Sequence, residues 1–247
     1  MNDTGQPIDI PDRFPNDWKT KPTDRFILKW VKCNLSARIT PRLLGARGLR
    51  PWMITLAASG LGTMAGAVFA FGPAWAASAM AACAQVLDGV DGQFARLTNA
   101  QSRAGAFWDS VLDRYADGAL VIGLTVWIGR NVEAVPYWLL GLLGFLAVVG
   151  SGLISYSTAR AECLAVDLGR PTLASKGTRT FVVVVCGFLT VFSCYAAVIA
   201  LLYLAIHTNL VIVGRLIRAQ GSAGDGASQS AGDPGGRHGG FPPRSGV

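Results

Sequence analysis

From Phe181 to Val213 the chain runs 33 residues without a formal charge. One helix of that length would be ~50 Å long, too much for a hydrocarbon core of ~30 Å. Two antiparallel spans fit instead, with a tight turn near Ser193-Cys194 and helices reaching Gly177 and Gly214. Charge supports the hairpin. Lys176 and Arg179 precede it, Arg215 and Arg218 follow it, and the bias of basic residues toward the cytoplasm returns both ends to that side.

Four further spans precede it. Trp52 to Phe71 is uncharged, Gly72-Pro73 makes a turn, and a second helix runs from about Ala74 to Arg96. Residues 97–102 form a short polar loop, a third helix opens near Arg103, and Pro136 to Tyr156 gives a fourth. The expected fold is therefore all-α and polytopic, with six transmembrane helices and both termini cytoplasmic in the cell membrane. A composition 51% hydrophobic and 15% charged suits it, and period-two alternation is missing, which argues against a soluble α/β core.

The expected organisation has four parts. Residues 1–21 form a polar segment that lacks the apolar run of a secretory signal. Residues 22–49 form a juxtamembrane amphipathic helix, with Phe26, Ile27, Trp30, Val31 and Leu35 at helical spacing and Arg25, Lys29, Lys32 and Arg38 on other faces. The six-span domain covers 50–218, and 219–247 is a Gly/Ser/Pro-rich tail of disordered composition. The net charge of +7 does not call for nucleic acid, because ten of the 22 basic residues lie before Trp52 and suit an anionic bilayer surface. The five cysteines are scattered and only two histidines exist, which disfavours zinc, disulfide and histidine chemistry.

Within this apolar chain, Asp88, Asp91, Asp109 and Asp113 stand out. Their three- and four-residue spacings put each pair on one helix face, shared with Gly92, Ala95 and Gly105. Both pairs lie roughly 10 Å inside the same boundary at 1.5 Å per residue. Isolated carboxylates are costly at that depth, so four of them without matching bases call for hard cations, Mg²⁺ or Mn²⁺, that keep sites for phosphate oxygens. Intramembrane acids could also mark a cation transporter. That reading predicts broken helices, repeats and acids on several spans, whereas these sit on two adjacent ones.

The order Asp88-x2-Asp91-Gly92-x2-Ala95-Arg96-x8-Gly105-x3-Asp109-x3-Asp113 resembles the signature of the CDP-alcohol phosphotransferase family at all eight specified positions. Pro51-Trp-Met-Ile-Thr55 is similar to the family's Pro-Asn-x-Ile-Thr segment, with Trp52 in place of Asn. The resemblance implies a membrane enzyme with two divalent cations that moves a phosphoalcohol unit from a CDP-linked donor to an acceptor hydroxyl and releases CMP. It assigns Asp88, Asp91 and Asp109 as metal ligands, Asp113 as general base and usual further ligand, and Gly92, Arg96 and Ser102 as donor-nucleotide contacts.

Asp113-Arg-Tyr-Ala-Asp117 and Tyr156-x-x-Ala-Arg160-Ala-Glu162 resemble the branch that handles inositol phosphate. A phosphatidylglycerophosphate-type synthase with a glycerol-phosphate acceptor stays open. Arg160, Lys176 and Arg179 flank the connection expected beside the Asp cluster, and read equally as holders of a phosphorylated acceptor or as contacts to lipid headgroups. Asp117 extends the Asp109–Asp113 stripe by a turn and is expected to pair with an arginine. The expected partners are thus a CDP-donor, a polar alcohol, phosphorylated or not, and the bilayer, with no nucleic acid; a homodimer is compatible with all of this.

Overall fold

A computed structural model describes residues 18–20, 26–46, 48–164, 166, 168 and 175–231, the side chains of Phe26 and of 221–231 excepted. The described residues are helical and contain no strand. Helix α1 (Phe26–Val31) passes through a π-helical turn, Lys32–Ser36, into α2 (Ala37–Leu43). Then come α3 (Pro51–Phe71), α4 (Ala74–Leu97), α5 (Arg103–Asn131), α6 (Tyr137–Leu164), α7 (Lys176–Leu189) and α8 (Tyr195–Ala231).

Local chemistry sets these limits. Pro51 starts α3 in the first turn, where its missing N–H costs nothing, and Gly72-Pro73 ends it. Ser102 caps α5 by accepting a hydrogen bond from the Gly105 amide at 3.0 Å. The expected break in the long apolar run falls at residues 190–194, between α7 and α8.

α3, α6 and the Tyr195–Gln220 part of α8 are long and apolar enough to cross a membrane. α7 has 14 residues, ~21 Å of helix, and begins a residue before the expected Gly177. α8 continues as helix through Ala231, into the segment expected to be a disordered tail; 232–247 lie outside the described residues. So do residues 1–17 and most of the connection between α6 and α7.

The core lies between α3, α4, α5, α6, α7 and α8, around Phe69, Leu124, Ile128, Leu201 and Leu204. α3 is its hinge pin: α4 and α5 both pack on it, while they touch each other at few points. The α3–α5 seam is backbone on backbone. A Cβ at Gly66 would overlap the Ala119 carbonyl, and one at Gly123 would overlap the Gly66 carbonyl. Only glycine permits this approach, the small-residue packing of helices in lipid. Around the bundle Phe71, Tyr137, Trp138, Phe145 and Leu210 are exposed, an apolar rim that water would not stabilise.

The N-terminal helix turns a polar face toward the bundle. Lys32, Ser36 and Thr40 are buried against α4, whereas Trp30 and Leu35 are 59% and 39% exposed. α4 explains the buried polar face, since it offers polar partners on that side. Ser36 donates to the Val86 carbonyl at 2.8 Å, and the Lys32 stem lies against Gly89. The long lysine buries its methylenes while its head stays polar.

Candidate active site

α4 and α5 present their carboxylates across a small cavity, about 50 Å³, whose other walls come from α3, α6, α7 and α8. Ala58, Gly62, Ala81, Ala84 and Ala116 line its apolar part and leave room by being small. Ser59, Ser151 and Thr180 add hydroxyls, and Asp88, Asp113, Asp117, Lys176 and Arg179 supply charge.

One oxygen each of Asp88, Asp109 and Asp113 lies within 4.8 Å of the others. These three come from both halves of the signature, so the pairing of α4 with α5 expected from topology is realised. Asp91, the fourth expected ligand, is 6% exposed and is not one of this close trio. Three residues past Asp88 it is rotated about 60° back around the helix, toward Thr55 on α3. That contact gives the Pro51–Thr55 segment its place beside the cluster.

Lys176, the first residue of α7, bridges the two helices. Its Nζ donates to Asp88 Oδ1 at 2.8 Å and to Asp113 Oδ1 at 2.6 Å. Gln85, one turn before Asp88, donates from Nε2 to the other Asp88 oxygen at 3.2 Å. Arg179, one turn along α7, donates to Asp117 Oδ2 at 2.8 Å, which supplies the arginine expected for Asp117. With that pair neutral, the bridging Lys176 ammonium, and Lys32 acting on Asp88 from the N-terminal segment, face four aspartates. The donor set is all oxygen and carries excess negative charge, so it suits hard divalent cations.

Of the expected donor contacts, Gly92 and Arg96 meet and Ser102 stands apart. The Arg96 guanidinium folds back over Gly92, with Nη1 3.5 Å from where a Cβ there would lie. Its Nε donates to the Trp18 carbonyl at 2.8 Å. Ser102 is exposed and serves as the α5 cap. Of the expected acceptor cations, Lys176 and Arg179 line the cavity, whereas Arg160 is exposed on α6 and does not. Arg215 of α8 instead holds that end of α6, donating to the Ile154 carbonyl at 2.7 Å and to Thr158 Oγ1 at 3.0 Å.

Sequence reasoning missed Gln85 and Gln93. A signal existed for Gln85, which shares the Asp88 face at three-residue spacing. Gln93 occupies an unspecified signature position, and only its burial marks it.

A helical bundle with a carboxylate trio beside two cations in an apolar-walled cavity defines a candidate metal and phosphate site among apolar helices. The CDP-alcohol phosphatidyltransferase family profile matches residues 49–214, and the chain belongs to that family. Among relatives, the bifunctional IPC transferase and DIPP synthase of Aquifex aeolicus is 34% identical over 137 residues, 56% of this chain and 30% of that one. The phosphatidylinositol phosphate synthase of Mycolicibacterium smegmatis is 33% identical over 116 residues, 47% of this chain and 51% of that one. The matches thus span a third to a half of those proteins' lengths. The phosphatidylinositol phosphate synthase of Mycobacterium tuberculosis, in a crystal structure with CDP-DAG bound, superposes with a TM-score of 0.65. Sequence identity there is 25%, over 75% of this chain and 93% of that one. Its complex with manganese and citrate gives 0.66, also at 25% identity, over 75% and 89% of the two chains.

Proposed function

We propose that the protein transfers a phosphoalcohol group from a CDP-linked donor to the hydroxyl of a polar acceptor, with release of CMP, and that the acceptor is an inositol phosphate. The observation that carries the reading is the carboxylate trio of Asp88, Asp109 and Asp113, assembled from both halves of the signature beside Lys176 and Arg179. The inositol-handling relatives support the acceptor class.

Asp88, Asp109 and Asp113, with Asp91 beside them, would hold two Mg²⁺ or Mn²⁺ ions. Such ions neutralise pyrophosphate charge and stabilise the leaving phosphate oxygens. A Mn²⁺-containing structural neighbour supports this. Gly92 lets the donor approach the α4 backbone closely, and Arg96 directs its guanidinium over the same spot. Ser102, at the start of α5, has its hydroxyl proton available to a donor phosphate.

Asp113 takes the proton from the acceptor hydroxyl at its carboxylate. The acceptor oxygen bonds to the phosphorus next to the donor alcohol, the bond from that phosphorus to the CMP oxygen breaks, and CMP departs with the electron pair. Lys176 and Arg179 face the cavity from α7 and would take the acceptor phosphate by charge-assisted hydrogen bonds. Arg160, exposed on α6, acts at most at the cavity mouth.

α3 to α8 make six crossings in this reading, with the Asp cluster and both termini on the cytoplasmic side. Helices α1 and α2 lie in the interface, where Trp30 and Leu35 meet lipid. The test is CMP release by protein in nanodiscs given CDP-diacylglycerol or CDP-inositol and a panel of acceptors. Turnover should need inositol phosphate and Mg²⁺ or Mn²⁺. Turnover undiminished in excess chelator would remove the metal assignment, and indifference to the acceptor phosphate would remove the acceptor.

A further inference from the structure

Gln93 is fully buried in α4, between Asp91 and Arg96, at a position the signature leaves unspecified. The two polar atoms of its amide make three hydrogen bonds, each to a different segment. Oε1 accepts from the Thr40 hydroxyl of α2 at 2.6 Å. Nε2 donates to the Lys32 carbonyl at the start of the π-helical turn and to the Lys19 carbonyl, both at 2.9 Å. The residue before Lys19, Trp18, is 8% exposed and gives its carbonyl to Arg96 Nε. The Trp18-Lys19 dipeptide is therefore held twice by α4, once by Gln93 and once by Arg96, one turn apart.

The second bond has a geometric consequence. With Nε committed to the Trp18 carbonyl, the guanidinium plane is turned so that Nη1 lies over Gly92. We propose that Gln93 is a positioning residue for the donor site: by pinning Trp18-Lys19 and the N-terminal helix to α4, it holds Arg96 in the orientation that faces a CDP pyrophosphate at Gly92. This rests on the reading of Gly92 and Arg96 as donor contacts. Only glutamine has the length, the acceptor and the two donors. Glutamate keeps the shape and the Thr40 contact but loses both donated bonds.

The experiment uses full-length protein in nanodiscs with Mg²⁺ and compares wild type, Gln93→Glu, Gln93→Leu, Arg96→Ala and the Gln93→Glu/Arg96→Ala double variant. Three quantities are read: hydrogen exchange over 18–20 and 26–43, the Kd of CDP, and KM and kcat for the CDP-donor. Both Gln93 variants should speed exchange at 18–20, raise the CDP Kd and donor KM about tenfold, and change kcat less than twofold. With Arg96 already replaced, Gln93→Glu should weaken CDP by less than a further twofold, since its effect travels through Arg96. Gln93→Glu is isosteric, so it carries the test if the leucine variant fails to fold. Unaltered exchange at 18–20, equal loss in the Arg96→Ala background, or kcat falling in step with donor affinity would each overturn the proposal. A wild type that binds CDP but never releases CMP would sink the transfer reaction while leaving this inference to the Kd; a wild type without CDP affinity would sink both.

Discussion

Lys176→Met removes the cation that donates to a carboxylate on each of α4 and α5. At 2.6 and 2.8 Å from Asp113 and Asp88, each contact is worth ~6 kcal/mol gross at an effective dielectric constant of 20. Removing three charged groups from water costs several kcal/mol per ion, which offsets most of that gain. The lysine is 25% exposed and the carboxylates 17% and 18%, so solvent screens part of the rest. A net loss of about 2 kcal/mol follows when the lysine goes and the carboxylates face one another without it. In excess chelator the variant should melt about 4–8 °C below wild type. Divalent cations reverse the sign of the argument, because the ammonium and a metal ion compete for the same oxygens. Linkage requires that what the lysine contributes without metal is returned on metal binding, so Mg²⁺ should bind ~10-fold or more tightly to Lys176→Met. Thermal unfolding across a Mg²⁺ titration measures both. An equal drop in Tm with chelator and with saturating Mg²⁺, or weaker Mg²⁺ binding, would refute competition between the lysine and the metal. If Lys176 also holds the acceptor phosphate, the same variant should raise the acceptor KM while leaving the donor KM near its original value.

Asp113→Asn keeps the shape of the side chain but removes the base, and should lower kcat by ~10²–10⁴ in a protein that still folds; CMP release and size-exclusion profiles check it, and near-normal turnover would end the assignment. Asp88→Asn should instead shift the metal requirement upward together with the rate, read from Mg²⁺ dependence of CMP release. Gly123→Val drives a side chain into the Gly66 carbonyl and should cost about 3 kcal/mol, seen as loss of monodisperse protein; a normal Tm would show that the α3–α5 seam can open. In a background without native cysteines, Thr20→Cys, Asn99→Cys and Gln220→Cys should label from the cytoplasmic side and Glu133→Cys and Ser193→Cys from the other. Labelling of Gln220→Cys from outside would break the six-crossing topology.

Much of this was legible in the chain because helices in lipid satisfy their own backbone, so length and charge alone mark them. Both ends of α4 and the start of α5 fall within a residue of where polar and glycine-proline segments place them, and the α7–α8 break lies in the turn that helix length demanded. The four aspartates were legible too, since a carboxylate in an apolar segment needs a reason and helical periodicity groups them without knowing any neighbour. What periodicity cannot supply is the rotation of one helix against another. It did not reveal that Lys32 and Ser36 turn inward, because that depends on Val86 and Gln93 of α4 offering polar partners across the contact. Nor could it separate Lys176 and Arg179 from Arg160, three cations of the same kind flanking one connection. The packing of α7 against α4 puts the first two in the cavity, while the third stays exposed on α6. Gln93 was illegible for the same reason. Its meaning lies in carbonyls 61 and 74 residues away, which only the folded chain brings to its amide.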